Sequence, residues 1–227
     1  VTIGPGCRIG PHVVITGRTT IGMNNRIFQF ASIGEEPQDK KYAGEDTELI
    51  IGDNNTIREL CTFSRGTAQG GGRTVIGNDN WIMACVHIAH DCQLGDNIIM
   101  ANNASLAGHV TVGDWAILSG YSLIHQFCDV GEHSFTSFAS HVNQSIPPYV
   151  TVSGEKARAK GINTEGLRRR GYTPEQIRQV RRAYKVLYRS GLSLEEARAK
   201  LDEMAAGHEE IRPWIEFLEK TTKNFIR

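Results

Sequence analysis

The chain has 227 residues, 40% hydrophobic and 22% charged, with 25 Lys+Arg against 25 Asp+Glu, an ordinary globular composition. Zero net charge argues against a nucleic-acid binder that relies on bulk positive charge, and no apolar run reaches membrane-span length and no signal-peptide pattern opens the chain. Five cysteines, an odd number without a CxxC, argue against a disulfide framework or a Cys zinc site and point to a reducing cytoplasm.

In chain order, the first element is a repeat. An apolar residue recurs every six positions at Ile3, Ile9, Ile15, Ile21, Ile27 and Ile33. The repeat is already running at Val1, where no Met stands, so further coils are expected ahead of it. Residues 34–50 read as a polar loop, and the period resumes at Ile51, Ile57 and Phe63. Residues 64–74 (SRGTAQGGGRT) read as a mobile, Gly-rich surface loop; a phosphate-cradling loop lacks the Lys-Ser/Thr and the helix it needs. The period then runs from Ile76 to Val142, with Thr136 its one polar member.

Period six is neither helical nor that of a simple half-buried strand. It describes short strands joined at corners, three of which close an eighteen-residue coil, and stacked coils make a parallel β-helix. Small residues two positions before the apolar one share the interior, which places Cys7, Cys61, Cys92 and Cys128 in the core. Asn24-Asn25, Asn54-Asn55 and Asn102-Asn103 suit corners with positive φ.

The solenoid is expected to end near Pro147-Pro148, dividing the chain into a β-helix domain, 1–150, and a helical domain, 151–227. Thr173 and Pro174 open a helix over 173–190 closed by Gly191. Ser193 with Glu196 makes a capping box for a second helix through Ala205. A third is predicted over Glu209–Phe225. Residues 1–154 carry a net charge of −6 and the remainder +6.

Residues eighteen apart stack at about 4.8 Å. His90, Gly108 and Gln126 therefore form one column, Asp91, His109 and Phe127 the next, and His125 a third beside them; His87 lies three positions before His90. Four histidines in two coils are a poor fit to scattered surface positions. Three imidazoles could bind zinc. The alternative is an acid/base site, with Asp91 orienting His90 and a side-chain-free N–H at Gly108 facing a reacting carbonyl oxygen. No Ser or Cys is an evident nucleophile, which favours direct attack by the acceptor over a covalent intermediate.

The stretches FQFASIGEEPQDKKYAGE (28–45), RGTAQGGG (65–72), HIAHDC (87–92), NNASLAGHV (102–110), HQFC (125–128), PPYV (147–150), GINTEGLRRRG (161–171) and AYKVLYRSG (183–191) together resemble the UDP-N-acetylglucosamine O-acyltransferases that open lipid A biosynthesis. The resemblance covers nearly the whole chain. It implies a left-handed parallel β-helix followed by a small helical domain. It also implies transfer of a 3-hydroxyacyl group from acyl carrier protein to the glucosamine 3-hydroxyl of UDP-N-acetylglucosamine. The assembly would be a homotrimer with its site between subunits, with no metal and no cofactor beyond the carrier's phosphopantetheine.

On this resemblance His90 is the general base, Asp91 its orienting partner and Gly108 the oxyanion donor. His87, His109, His125 and Gln126 surround the sugar nucleotide and acyl chain. Gln38, Asp39 and Lys41 lie on a substrate-contacting loop that reaches a neighbouring subunit. Asn163, Glu165, Arg169 and Arg170 match the uridine and phosphate side. Phe135 and Phe138 are assigned to the acyl pocket, Phe138 standing at the length-setting position, where a Phe should shorten the chain accepted. Ser64 stands where the family usually has His. The basic run from Glu155 to Arg189 is read as a dock for an acidic carrier protein. A sugar N-acyltransferase, a zinc-dependent carbonic anhydrase and a non-catalytic scaffold are the rival readings.

Overall fold

A computed structural model describes residues 1–221 and 225–227. Two-residue strands recur every six residues and stack into three parallel sheets. The first sheet runs from Thr2–Ile3 to Asp129–Val130 and the third from Val14–Ile15 to His141–Val142, each of seven strands; the second has nine. Where no loop intervenes the register is eighteen residues, as in His87↔Ser105↔Leu123↔His141. The period-six residues form the core: Ile33, Ile57, Ile82, Ile88, Met100, Leu106 and Leu118 are fully buried.

The small inward positions behave as the repeat requires. Cys61, Cys92 and Cys128 are buried; burial pushes the Cys61 and Cys92 thiols up to about 12 and Cys128 to about 11, so they are packing groups rather than thiolates. Cys7 is half-buried. Thr136 is fully buried and satisfied: its Oγ1 accepts from Ser119 N at 3.0 Å and meets Ser122 Oγ at 2.6 Å.

One Asn of each expected corner pair takes positive φ, at Asn24, Asn54 and Asn103. Asn25, Asn55 and Asn80 turn inward and form a ladder, each Oδ1 accepting from the backbone N–H of the coil above at 2.7–2.9 Å. Much larger residues also occupy left-handed corners, among them Phe30, Leu60, His109 and Phe127, and so does Asp91.

The coil does not stop at the two prolines. Val150 opens a strand, Val150–Ser153, that pairs in parallel with Phe135–Thr136 and then antiparallel with Arg158–Ile162. A short helix α1, Thr164–Arg169, follows; neither the hairpin nor α1 is evident from the periodicity. Helix α2 is Pro174–Arg189 and α3 is Leu194–Ala205, both with complete capping boxes at Thr173/Gln176 and Ser193/Glu196. The third expected helix is shorter than the sequence reading. A 3-10 turn at Glu209–Ile211 leads into α4, Arg212–Lys220, and Thr221 leaves helical geometry. The expectation over 222–224 lies outside the described residues, and Phe225 makes a β-bridge to Ser145. The fully buried Trp214 of α4 lies 6.1 Å from Tyr149 and fixes the helices to the end of the solenoid.

Candidate active site

The corner between the third sheet (His87–Ile88) and the first (Gln93–Leu94) carries His90 and Asp91. Asp91 sits at φ 61 and its side chain is wholly buried. Oδ1 accepts from Thr67 N at 2.8 Å; Oδ2 accepts from Thr67 Oγ1 at 2.6 Å and pairs with His90 Nδ1 at 2.8 Å. Gly70 N–H in turn donates to Thr67 Oγ1 at 3.2 Å. An acceptor-only carboxylate requires the proton on His90 Nδ1, which leaves a lone pair on Nε2.

The segment 64–74 is therefore not the free surface loop that its composition suggests. Ser64 to Thr67 are buried, Thr67 caps the 3-10 turn Ala68–Gly70, and the segment lies over Asp91. A Cβ on Gly70 would fall 2.0 Å from Asp91 Cγ, so this glycine is required by close approach.

Gly108, one coil above His90, meets the imidazole. A Cβ there would lie 2.5 Å from His90 Cε1 and 2.8 Å from Nε2. The Gly108 N–H donates to no backbone acceptor among the described residues. A base with a free lone pair thus stands beside an available N–H donor, the pairing that acyl transfer needs. Gly108→Ala needs no unusual backbone, yet it must push the ring aside. The expected outcome is kcat lowered about 100-fold, the cost of roughly an ångström of misplacement, with a melting temperature close to the parent's.

His109 joins this corner, with Nε2 3.7 Å from Asp91 Oδ2 and its ring stacked on Phe127 at 4.5 Å. His90, Asp91 and His109 offer ligand atoms within 4.8 Å of one another. Both Asp91 oxygens are already occupied by hydrogen bonds, so the arrangement is that of an oriented imidazole rather than a set of free donors. His87 hydrogen-bonds Thr62 at 2.8 Å, and burial, then the nearby His90, lowers its pKa. His125 and Gln126 are exposed on the next coil. On the neighbouring loop, Gln69 Nε2 donates to Asp39 Oδ2 at 3.4 Å; Gln38 and Lys41 are exposed.

The remaining expected residues lie elsewhere. Asn163, Glu165, Arg169 and Arg170 line a cleft of about 650 Å³ against the second sheet, with Trp115, Ile117 and Phe135. One copy of the chain therefore does not unite them with His90. Glu165 pairs with Arg168 at 2.5 Å and Arg169 at 2.9 Å, and the Arg168 contact leads in holding its carboxyl below the ordinary value. Asn163 caps α1 through Oδ1 and donates from Nδ2 to His133 O at 3.0 Å.

Phe135 and Phe138 do not share a pocket. Phe135 faces the cleft, whereas Phe138, 69% exposed, packs edge-on to Tyr121 beside Leu123 and His141. Both point outward, and the corner between the strands Phe135–Thr136 and His141–Val142 turns residues only three apart away from each other. Sequence reasoning missed Thr67 and Thr74, the latter accepting from Asp91 N at 2.8 Å through its Oγ1. Thr67 lies in the non-repeating segment, where the eighteen-residue arithmetic does not apply; Thr74 is back in register, with Val75 opposite Gln93, but nothing in the period marks its hydroxyl.

A family model described as UDP N-acetylglucosamine O-acyltransferase, domain 2, matches residues 146–226, and one for bacterial transferase hexapeptide (six repeats) matches 73–108. The chain is 55% identical to the acyl-[acyl-carrier-protein]–UDP-N-acetylglucosamine O-acyltransferase of Herminiimonas arsenicoxydans, covering 100% of this chain and 93% of that one. It is 57% identical to the protein of that name from Thiobacillus denitrificans, covering 89% and 79%. Among solved structures, LpxA from Acinetobacter baumannii superposes with a TM-score of 0.96 at 45% identity over 100% of this chain and 89% of that one. The UDP-N-acetylglucosamine acyltransferase of Francisella novicida gives 0.88 at 43% identity over 99% and 85%.

Proposed function

The chain belongs to the UDP-N-acetylglucosamine O-acyltransferase family, and on that premise we propose that it moves a 3-hydroxyacyl group from acyl carrier protein to the glucosamine 3-hydroxyl of UDP-N-acetylglucosamine, the opening step of lipid A biosynthesis. The observation that carries this reading is the His90–Asp91 pair, whose free Nε2 stands over Gly108. His90 Nε2 takes the proton from the 3-hydroxyl as that oxygen attacks the thioester carbonyl. The oxyanion accepts a hydrogen bond from Gly108 N–H. Collapse breaks the C–S bond, and the phosphopantetheine thiolate recovers the proton from His90.

A homotrimer accounts for two features. The nucleotide-side residues and His90 occupy different faces of the prism, so a second copy has to bring them together. Large apolar side chains, Phe30, Leu60, Tyr121, Leu123 and Phe127, stand exposed along the solenoid, where packing against further copies would cover them. The exposed Arg181, Arg182 and Lys185 of α2 supply a positive surface for an acidic carrier protein. No helix among the described residues is long and apolar enough to cross a membrane, and five free cysteines suit a cytoplasmic location.

The third face runs outward through Thr62, His87, Ser105, Leu123 and His141, between the His90 corner and the Phe138 corner. An acyl chain leaving the Gly108 region along this face meets Phe138. Turnover with UDP-N-acetylglucosamine and carrier proteins bearing 3-hydroxyacyl chains of graded length tests the reading. The parent is expected to favour short chains, and Phe138→Gly to move the optimum to longer ones, each misfitted methylene being worth about 1–3 kcal/mol. An unmoved optimum would remove Phe138 from the ruler; no turnover with any donor from the assembled protein would overturn the proposed function.

A further inference from the structure

Beside the cleft lies a buried histidine with no part in the chemistry at His90. His133 is 7% exposed, at a left-handed corner with φ 55. Its ring is parallel to Tyr149 at 5.5 Å on one side and to Trp115 at 6.3 Å on the other, with the edge of Tyr172 at 5.3 Å. Its backbone oxygen is held by Asn163 Nδ2 at 3.0 Å. Its Nδ1 lies 3.0 Å from Arg170 NH1.

A guanidinium can only donate, so Nδ1 must be the accepting lone pair and the imidazole must be neutral, with its proton on Nε2. The Nε2 side faces Tyr172 OH at 3.3 Å and Glu132 Oε1 at 4.0 Å. Burial, reinforced by the Arg170 charge, pushes the His133 pKa down to about 4, in keeping with that neutral form.

The consequence is for Arg170. Its guanidinium is clamped by His133 on an edge and by the Trp115 ring on a face, 5.2 Å from the ring centre. Its neighbours Arg168 and Arg169 spend their forks on Glu165. Arg170 has no carboxylate within ion-pair distance among the described residues. A half-buried cation anchored by a neutral acceptor keeps its whole charge, with N–H groups to spare, for an anion in the cleft. A carboxylate in the place of His133 would anchor Arg170 equally well and cancel that charge.

We infer that His133 is a positioning residue that holds Arg170 ready, unneutralised and correctly turned, for a phosphate oxygen of the nucleotide. This rests on the proposed binding of a nucleotide diphosphate at the Arg169–Arg170 cleft. The decisive comparison uses the full chain with both substrates. His133→Phe keeps a ring between Trp115 and Tyr149 but removes the acceptor. His133→Asn places an amide oxygen near the Nδ1 position. The expected result is that His133→Phe raises KM for UDP-N-acetylglucosamine about tenfold, with kcat and KM for the acyl carrier protein within twofold, and that His133→Asn returns KM most of the way. Adding His133→Phe to Arg170→Ala should then have no further effect on KM.

Two failures are distinguishable. If Arg170→Ala raises KM and His133→Phe does not, the positioning role is wrong and the nucleotide reading stands. If Arg170→Ala leaves KM unchanged, the cleft is not the phosphate site and the inference falls with it. Should His133→Phe melt below the assay temperature, His133→Gln carries the same comparison, since its oxygen sits where Nε2 stood and cannot reach Arg170.

Discussion

His90→Ala is expected to lower kcat about 10²- to 10⁴-fold, with KM for either substrate changed only a few-fold. The imidazole is half-buried and makes its one strong contact with Asp91, so removing it leaves the coil's backbone ladder intact. The His90 carbonyl still accepts from His109 N at 3.0 Å, and that bond belongs to any residue at the position. On the proposed role, what is lost is the acceptor for the sugar hydroxyl proton, needed in the transition state and not in the bound ground state. A fall in kcat with KM preserved is the signature of that difference. Steady-state kinetics on folded variant protein checks it. A parallel loss in KM would mean that His90 serves binding instead.

Asp91→Asn is expected to cost about as much, for a reason that turns on proton placement. Thr67 N donates to Oδ1, so the asparagine oxygen must stay at that position. The amide NH₂ then replaces Oδ2, facing His90 Nδ1 at the present 2.8 Å. Two donors cannot meet there. His90 must move its proton to Nε2 and accept at Nδ1, which removes the lone pair from the face over Gly108. The shape of the site is kept and its base is not, so kcat should fall about 10²- to 10⁴-fold with little change in melting temperature. Nitrogen-15 shifts of the His90 ring provide a second readout: the parent should show the Nδ1–H tautomer and the variant Nε2–H. A variant with the parent's tautomer and undiminished kcat would show that Asp91 does not orient the ring.

The solenoid was legible because its physics is local and periodic. A single inward apolar position every six residues sets strand, corner and coil, and the eighteen-residue register places His90 beneath Gly108 and Asp91 beneath His109 without further information. The same arithmetic fails at 64–74, where an insertion leaves the coil. There composition suggested a free loop, yet Thr67 reaches back to Asp91 and Gly70 is needed for the carboxylate to fit. Such a contact depends on where the insertion folds, which no period encodes. Phe135 and Phe138 show a second limit: proximity in sequence says nothing about which side of a corner a residue faces. The Thr173 N-cap with Pro174 and the capping box at Ser193 located α2 and α3, because a cap is a local hydrogen-bond pattern. The hairpin at 150–162 was hidden because its strands pair with the last coil and with each other, partners that the pattern of either segment alone does not reveal. The His133–Arg170 contact, between residues 37 apart, was invisible for the same reason.

The central claim is direct, base-assisted transfer of the acyl group to a sugar hydroxyl. The measurement that meets it most squarely follows the carrier protein's free thiol when the parent chain is mixed with 3-hydroxyacyl carrier protein, with and without UDP-N-acetylglucosamine, and asks whether the sugar product is cleaved by mild alkali. The account predicts thiol only when both substrates are present, one alkali-labile ester for each thiol released, and no acyl group on the protein. A burst of thiol without the sugar nucleotide, or an alkali-stable amide as the product, would contradict it.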